Sequence, residues 1–287
     1  MSFQAVQAME MEQFGHLVID RETGRCLGGA GRSFYKVWAF PLYTPSGITV
    51  IQEFAFDHPF HNGFFVGQYP VRLNGRDSNF WAAPPRRSAD DPVFQAIGRV
   101  DASPPTIELQ ENGARFVFNC VWRDEDEAPV LDEVRTITFR ASEDATICDM
   151  TSGKTASYGD VEFPQTKMGA IGVRVEPRLL PPLGGVILAD NARRGNSDVV
   201  HEQDSKYVAY ESFDSRENCF GICLTILDAE ACGPWFVRDY GMAIYNPTWR
   251  EGFTLPAGKS CSVGLRAVAY DGQLTEERAH DWRSRLR

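Results

Sequence analysis

Apolar and polar residues alternate with a period of two along most of this chain, and stretches with a helical period are nearly absent. In residues 114–123 (ARFVFNCVWR) the alternation puts Phe116, Phe118, Cys120 and Trp122 on one face, as in a strand with one side against a core. An acidic turn, DEDEAP, separates it from EVRTITFR, so the two segments predict a long antiparallel hairpin. Residues 47–56 (GITVIQEFAF), 145–152, 170–177, 206–213, 220–227 and 261–270 are β-branched or aromatic runs that predict further strands. Turn chemistry falls between them at Asn74-Gly75, Pro84-Pro85, Pro181-Pro182, Gly184-Gly185 and Pro256-Ala257-Gly258. One helix is expected at the end, within 274–287, with Thr275 as N-cap and Arg283, Arg285 and Arg287 toward its C-terminus. Residues 81–97 read as a long surface loop. Many strands joined by short turns predict an all-β chain, a large antiparallel sandwich or supersandwich spanning 1–287 as one domain.

Composition narrows the function classes. A chain of 287 residues with 43% apolar and 24% charged residues can bury a substantial core. A net charge of −10 disfavours nucleic acid, while a local arginine cluster still admits an anionic small substrate. No basic and apolar leader and no membrane-length apolar run is present, which predicts a cytoplasmic protein without membrane contact. The seven cysteines are odd in number and scattered in apolar segments, as reduced buried thiols would be. Cys219, Cys223 and Cys232 lack the partners that would complete a zinc site. Phosphate-loop, GxSxG, HExxH and Rossmann signatures are absent.

Four polar segments carry candidate chemistry. Asp57-His58-Pro59-Phe60-His61-Asn62-Gly63 holds two of the five histidines at a corner that Pro59 keeps from being helical. Its imidazoles suit proton transfer with Asp57 orienting one ring, a divalent metal, or a structural brace. Arg238-Asp239-Tyr240 alternates charge along a presumed strand and is followed by Asn246: a fork for oxygen anions, a phenol that can donate a proton, or a structural ion pair. Lys167 precedes a glycine-containing strand that leads to Arg174, and reads equally as an electrophilic group or a solvated lysine. His201-Glu202 follows a polar loop and offers an acid/base pair.

In this order, Pro41-Leu42-Tyr43-Thr44-Pro45-Ser46-Gly47, Asp57-His58-Pro59-Phe60-His61, Asn79-Phe80-Trp81, Glu133-Val134-Arg135-Thr136, Thr166 to Gly169 and Val237 to Gly241 with Asn246-Pro247 resemble a bacterial family labelled methane oxygenase PmoA, over about residues 33–272. The resemblance implies a β-sandwich similar to the galactose-mutarotase supersandwich, and a companion of sugar-catabolic oxidoreductases and lyases. It carries over to His58, His61, Lys167, Arg174, Arg238, Asp239, Tyr240 and Asn246. Phe60 stands where the family usually has histidine and Asn62 where arginine is common, which weakens a three-histidine metal site.

The first expectation is therefore a cofactor-independent lyase, isomerase or epimerase acting on a sugar, oxidised sugar or glycoside. His58 or His61 would move the proton, Arg238 and Lys167 would stabilise the oxyanion, and Tyr240 or His201 would protonate the departing oxygen. Asp57, Asn62, Trp81, Arg174, Glu202, Asp239 and Asn246 would bind substrate. Two alternatives stay open: a metal-dependent hydrolase or oxygenase-like enzyme using His58, His61 and Glu202, and a non-catalytic carbohydrate-binding protein presenting Trp38, Trp81, Trp235 and Trp249. Homo-oligomerisation is not readable from the sequence.

Overall fold

The computed structural model describes residues 6–11, 15–84, 90–91, 93–228 and 231–284. Among them, nine strands form one antiparallel sheet in the order Val6–Met11, Gly15–Asp20, Cys26–Arg32, Val37–Leu42, Phe64–Tyr69, Met168–Arg174, Met242–Tyr245, Gly233–Val237 and Asp204–Ser205. A ten-stranded antiparallel sheet packs against it. Its order is Arg193–Gly195, Val186–Ala189, Tyr207–Phe213, Cys219–Ile226, Ser260–Asp271, Ala145–Thr155, Pro129–Ala141, Gly113–Arg123 and Arg99–Ala102, with Thr106–Gln110 also on Gly113–Arg123. A four-stranded sheet of Phe253–Leu255, Val161–Phe163, Val71–Leu73 and Arg76–Ser78 stands beside them. The predicted antiparallel β-sandwich is what the chain forms.

The alternation explains the layering. Phe116, Phe118, Cys120 and Trp122 are all buried and project into the space between the two large sheets, where Phe64, Val66, Ile171 and Val173 meet them. Side chains one position away on the nine-stranded sheet, such as Phe65, Phe236, Met242 and Ile244, form a separate apolar cluster on its outer face. Glu133 and Arg135 lie in the inner layer, fully buried and joined by two hydrogen bonds of 2.9 and 2.7 Å. Trp122 Nε1 donates to the same carboxylate at 2.6 Å. No helix among the described residues is long and apolar enough to cross a membrane.

Three local expectations change. Residues 47–56 form no strand: their backbone makes only isolated bridges, Tyr43 to Thr49 and Ile51 to Val175, because this segment crosses a sheet end instead of joining a ladder. Arg238-Asp239-Tyr240-Gly241 is a turn, closed by Gly241 N donating to Arg238 O at 2.9 Å, so its side chains do not alternate across a sheet. The described part of 81–97 is the irregular loop expected, with Pro84, Asp90 and Gln95 exposed, but it is anchored and not wholly solvated. Trp81, Ala82, Ala83 and Phe94 are buried on the outer face of the nine-stranded sheet. Asn79 fixes this segment, its Oδ1 accepting from Trp81 N and Ala82 N while Nδ2 donates to Val93 O and Gln95 O. The helix runs Glu276–Ser284, with Thr275 Oγ1 accepting from Arg278 N at 3.2 Å; Arg285 and Arg287 lie outside the described residues.

Candidate functional site

Two tight turns meet where the strand Met168–Arg174 ends. In the first, His61 N donates to His58 O at 2.9 Å, with Pro59 and Phe60 between them. Proline suits the second position of such a turn because its φ is preset. The second is the Arg238–Gly241 turn. The backbone of Arg174 and Val175 ties the two together. Gln52 N donates to Arg174 O, Arg174 N to Gly63 O, and Val175 N to Gly241 O, at 2.9, 2.8 and 2.7 Å. A glycine follows the first turn (Gly63) and another closes the second (Gly241), and no other residue replaces either easily. Gly63 has φ +54° and a Cβ there would lie 2.4 Å from Ala39 O; Gly241 has φ +90° and a Cβ would lie 2.6 Å from Leu180 Cδ2. From the core side, the hydroxyl of fully buried Tyr210 donates to Arg238 O at 2.8 Å and holds the second turn in place.

The side chains this brings together are Asp57, His58, Arg174 and Tyr240. His58 Nδ1 donates to Asp57 Oδ2 at 2.9 Å, and Arg174 Nη2 donates to Asp57 Oδ1 at 2.6 Å. Burial alone would raise the Asp57 carboxyl, but the hydrogen bonds from Arg174 and His58 outweigh it and hold the group below its ordinary value. The ionised carboxylate therefore fixes His58 as the tautomer with its proton on Nδ1, and Nε2 becomes the basic nitrogen. Tyr240 stacks on His58 with ring centroids 5.5 Å apart and planes 10° from parallel. The Arg174 guanidinium lies over the other part of this assembly, 4.7 Å from the Tyr240 ring, with Nε and Nη1 enclosed and without a hydrogen-bond partner. His61 stacks behind His58 at 4.9 Å and 5°, and is itself buried among Phe60, Phe65 and Trp81. Of the two histidines, His58 is the one at the surface, with a quarter of its side chain exposed.

Asp57, Arg174 and Tyr240 form one wall of a cavity of about 600 Å³, which Gln52, Arg238 and Asp239 extend. Asp239 Oδ1 accepts from Ser197 N at 2.7 Å, and no ion pair forms between Asp239 and Arg238. The Arg238 guanidinium lies instead 4.8 Å over the Phe236 ring. The rest of the lining is mostly apolar: Phe56, Pro177, Leu180, Pro182 and Leu183.

The other predicted residues fall elsewhere. Lys167 is exposed and precedes the strand at whose other end Arg174 sits, so it does not join the Asp57 cluster. His201 Nδ1 accepts from Val237 N, and its Nε2 faces Glu202 Oε1, both at 3.3 Å, so protein groups occupy both nitrogens. Burial, then the charge of Arg238, lowers the His201 imidazole below its ordinary range and keeps it neutral. Asn246 braces a turn, donating to Thr166 O and accepting from Thr248 N. Asn62 donates to Glu53 O at 3.5 Å, and Trp81 meets His61 edge to face. Trp81 and Trp235 are buried and present no platform. Among the described residues no group of three His, Cys, Asp or Glu side chains is arranged to hold a metal ion. The His58 and His61 rings lie parallel, so their nitrogens do not converge on a common point in the way a shared metal requires.

Sequence reasoning missed Lys36. It is fully buried, and its Nζ donates to Phe60 O at 2.6 Å and to Trp81 O at 2.7 Å, so one amine joins the His58–His61 turn to the Trp81 segment. Among the described residues no carboxylate accompanies it; burial, then the charge of Arg135, brings its pKa down to about 7. The signal was a lone lysine in the aromatic run Phe34-Tyr35-Lys36-Val37-Trp38, in phase with Trp38.

A family model described as a family of unknown function (DUF6807) matches residues 30–283. That description carries no activity, and the methane-oxygenase label finds no support in it. No curated protein matches the chain. Among solved structures, a galactose mutarotase-like protein from Lactobacillus casei ATCC 334 is similar at 8% identity, covering 92% of this chain and 100% of its own, with a TM-score of 0.39. A galactose mutarotase related enzyme from Lactobacillus acidophilus is similar at 10% identity over 94% and 100%, with a TM-score of 0.29. The GH36 alpha-galactosidase AgaB from Geobacillus stearothermophilus is similar at 11% identity over 93% of this chain and 41% of its own, with a TM-score of 0.44. The fold and the site described above stand on the chain's own geometry.

Proposed function

Because the chain belongs to the DUF6807 family, whose description supplies no activity, we propose one from the site itself: proton-transfer catalysis on a small oxygenated, sugar-like molecule, of the isomerase, epimerase or lyase type, with His58 as the base. The observation that carries this reading is the Asp57-centred pairing, in which one carboxylate orients His58 and is itself held by Arg174 beside an open cavity. His58 does not line this cavity itself; Asp57, which it hydrogen-bonds, and Tyr240, which stacks on it, do, so a substrate oxygen against Arg238 must bring a neighbouring C–H or anomeric O–H to His58 Nε2. Nε2 takes that proton, Arg238 opposes the charge that develops on oxygen, and the Tyr240 phenol returns a proton to the departing or reprotonated atom. Lys167 and His201 are not needed for these steps, and the scheme calls for no cofactor.

The test is a proton NMR screen of aldoses, keto-sugars and alkyl glycosides in deuterated water, reading anomer exchange, deuterium wash-in and elimination. His58→Gln should lose about 10²–10⁴ of any turnover found while keeping its melting transition. Asp57→Asn should lose a large part of it, because the amide can present its NH₂ to Nδ1 and favour the other tautomer. Unchanged turnover in His58→Gln would remove the assignment.

A further inference from the structure

The cavity lined by Asp57, Arg174 and Tyr240 has two unlike parts. The polar part carries two carboxylates, Asp57 and Asp239, and two guanidiniums, Arg174 and Arg238, so its formal charge is balanced. That suits a neutral, hydroxyl-rich group better than a free anion. The apolar part is built rigidly. Two successive 3₁₀ turns, Pro177–Leu179 and Pro181–Leu183, start with prolines that fix φ. Leu179 anchors them in the core, and Gly185 N donates to Leu180 O at 3.0 Å. Leu183 is nevertheless 65% exposed, and Phe56 in the same lining is 93% exposed.

Two other exposed rings are engaged, while Phe54 and Phe213, 54% and 49% exposed, have no ring or cation contact among the described residues. Phe34 has the Arg99 guanidinium 4.6 Å over its face, and Phe253 stacks on Phe163 at 4.9 Å. Among the described residues Phe56 has no ring or cation contact. It sits next in the chain to Asp57, so an apolar surface and the carboxylate that orients His58 are adjacent walls of one space. At about 600 Å³ that space falls in the range of roughly 300–1,000 Å³ typical of drug-sized ligands and is more than a single sugar ring fills.

We propose that the substrate is amphipathic: a hydroxyl-rich, sugar-like end against Asp57, Arg174, Arg238 and Asp239, bearing an apolar substituent that lies against Phe56, Leu180, Pro182 and Leu183. This rests on the acid/base reading of the polar part and adds the substituent. Phe56 and Leu183 are then specificity determinants that touch the part of the substrate that does not react.

Calorimetric titration with methyl, propyl and hexyl glucosides and galactosides, each below its micelle concentration, tests it. With wild-type protein the affinity should rise about two- to fourfold per added methylene. Phe56→Ser and Leu183→Ser, both at exposed positions that leave the core intact, should flatten that rise. Phe213→Ser, at a 49% exposed ring on the other sheet, should keep the rise and so exclude nonspecific adsorption. Glycosides bound with no dependence on chain length, or a rise that survives Phe56→Ser and Leu183→Ser, would overturn the apolar subsite and leave the acid/base reading standing. Failure of every glycoside and of the parent aldoses to bind would refute the sugar-like end, and the subsite proposal with it.

Discussion

Replacing Lys36 by methionine should change how stability depends on pH, by an amount that follows from its burial. Among the described residues the ammonium has no carboxylate beside it; it donates to two backbone carbonyls, Phe60 O and Trp81 O, and lies 5.0 Å over the Phe65 ring. Its pKa falls from 10.5 to about 7 on folding. Between these values the unfolded chain binds a proton that the native protein does not, so stability rises with pH across this window and levels off below it. At about 1.4 kcal/mol per pKa unit, the gain from this one group between pH 7 and pH 9 is about 2 kcal/mol. Lys36→Met keeps the buried stem, removes the titration, and leaves two carbonyls unmet at a cost of about 1–3 kcal/mol that does not vary with pH. The assay is urea unfolding of both proteins at pH 7, 8 and 9 under reducing conditions. Other titrating groups are common to both and cancel in the difference. The stability of the wild type relative to the variant should rise by about 2 kcal/mol between pH 7 and pH 9. Parallel curves over that range would refute the buried, uncompensated amine.

Arg135→Met should destabilise the protein by about 3–5 kcal/mol, since it removes the guanidinium paired with the fully buried Glu133 carboxylate; adding Glu133→Gln, which keeps an acceptor for Trp122 Nε1, should restore part of the loss in the same urea titration. Asp57 is held below the ordinary carboxylate range, so its contribution to stability is full above about pH 4 and is lost as the pH falls through its folded value. Asp57→Asn should therefore flatten the acid limb of a melting-temperature profile below pH 4, and an identical limb in both proteins would count against the Asp57–Arg174–His58 pairing.

Much of the architecture is legible in the sequence because alternation is a local property. The period-two run 114–123 needs no knowledge of its partners to declare one face apolar, and the hairpin to EVRTITFR follows from the turn between them. The apolar run 47–56 reads as a strand from composition alone, but only Val50, Ile51 and Ala55 are buried, Phe54 and Phe56 are exposed, and the backbone forms only isolated bridges. The Arg-Asp-Tyr segment misled because the glycine that follows it, Gly241, was not weighed as the left-handed residue of a turn.

The site divides along the same line. Residue type and spacing in Asp57-His58-Pro59-Phe60-His61 were enough to mark a polar corner able to move protons. They could not say that Asp57 turns to His58 and to an arginine 117 positions later in the chain, or that His61 is buried while His58 is not. Nor could they separate Lys167, left at the solvent, from Lys36, sealed under the site. A charged group's chemistry depends on what desolvates it and what it pairs with, and both are set by contacts between distant segments. The chain's own order thus determines which faces are apolar and where proton-transfer groups are available. Tertiary packing alone decides which of those groups share a cavity, which ring nitrogen is basic, and that apolar side chains line the same space.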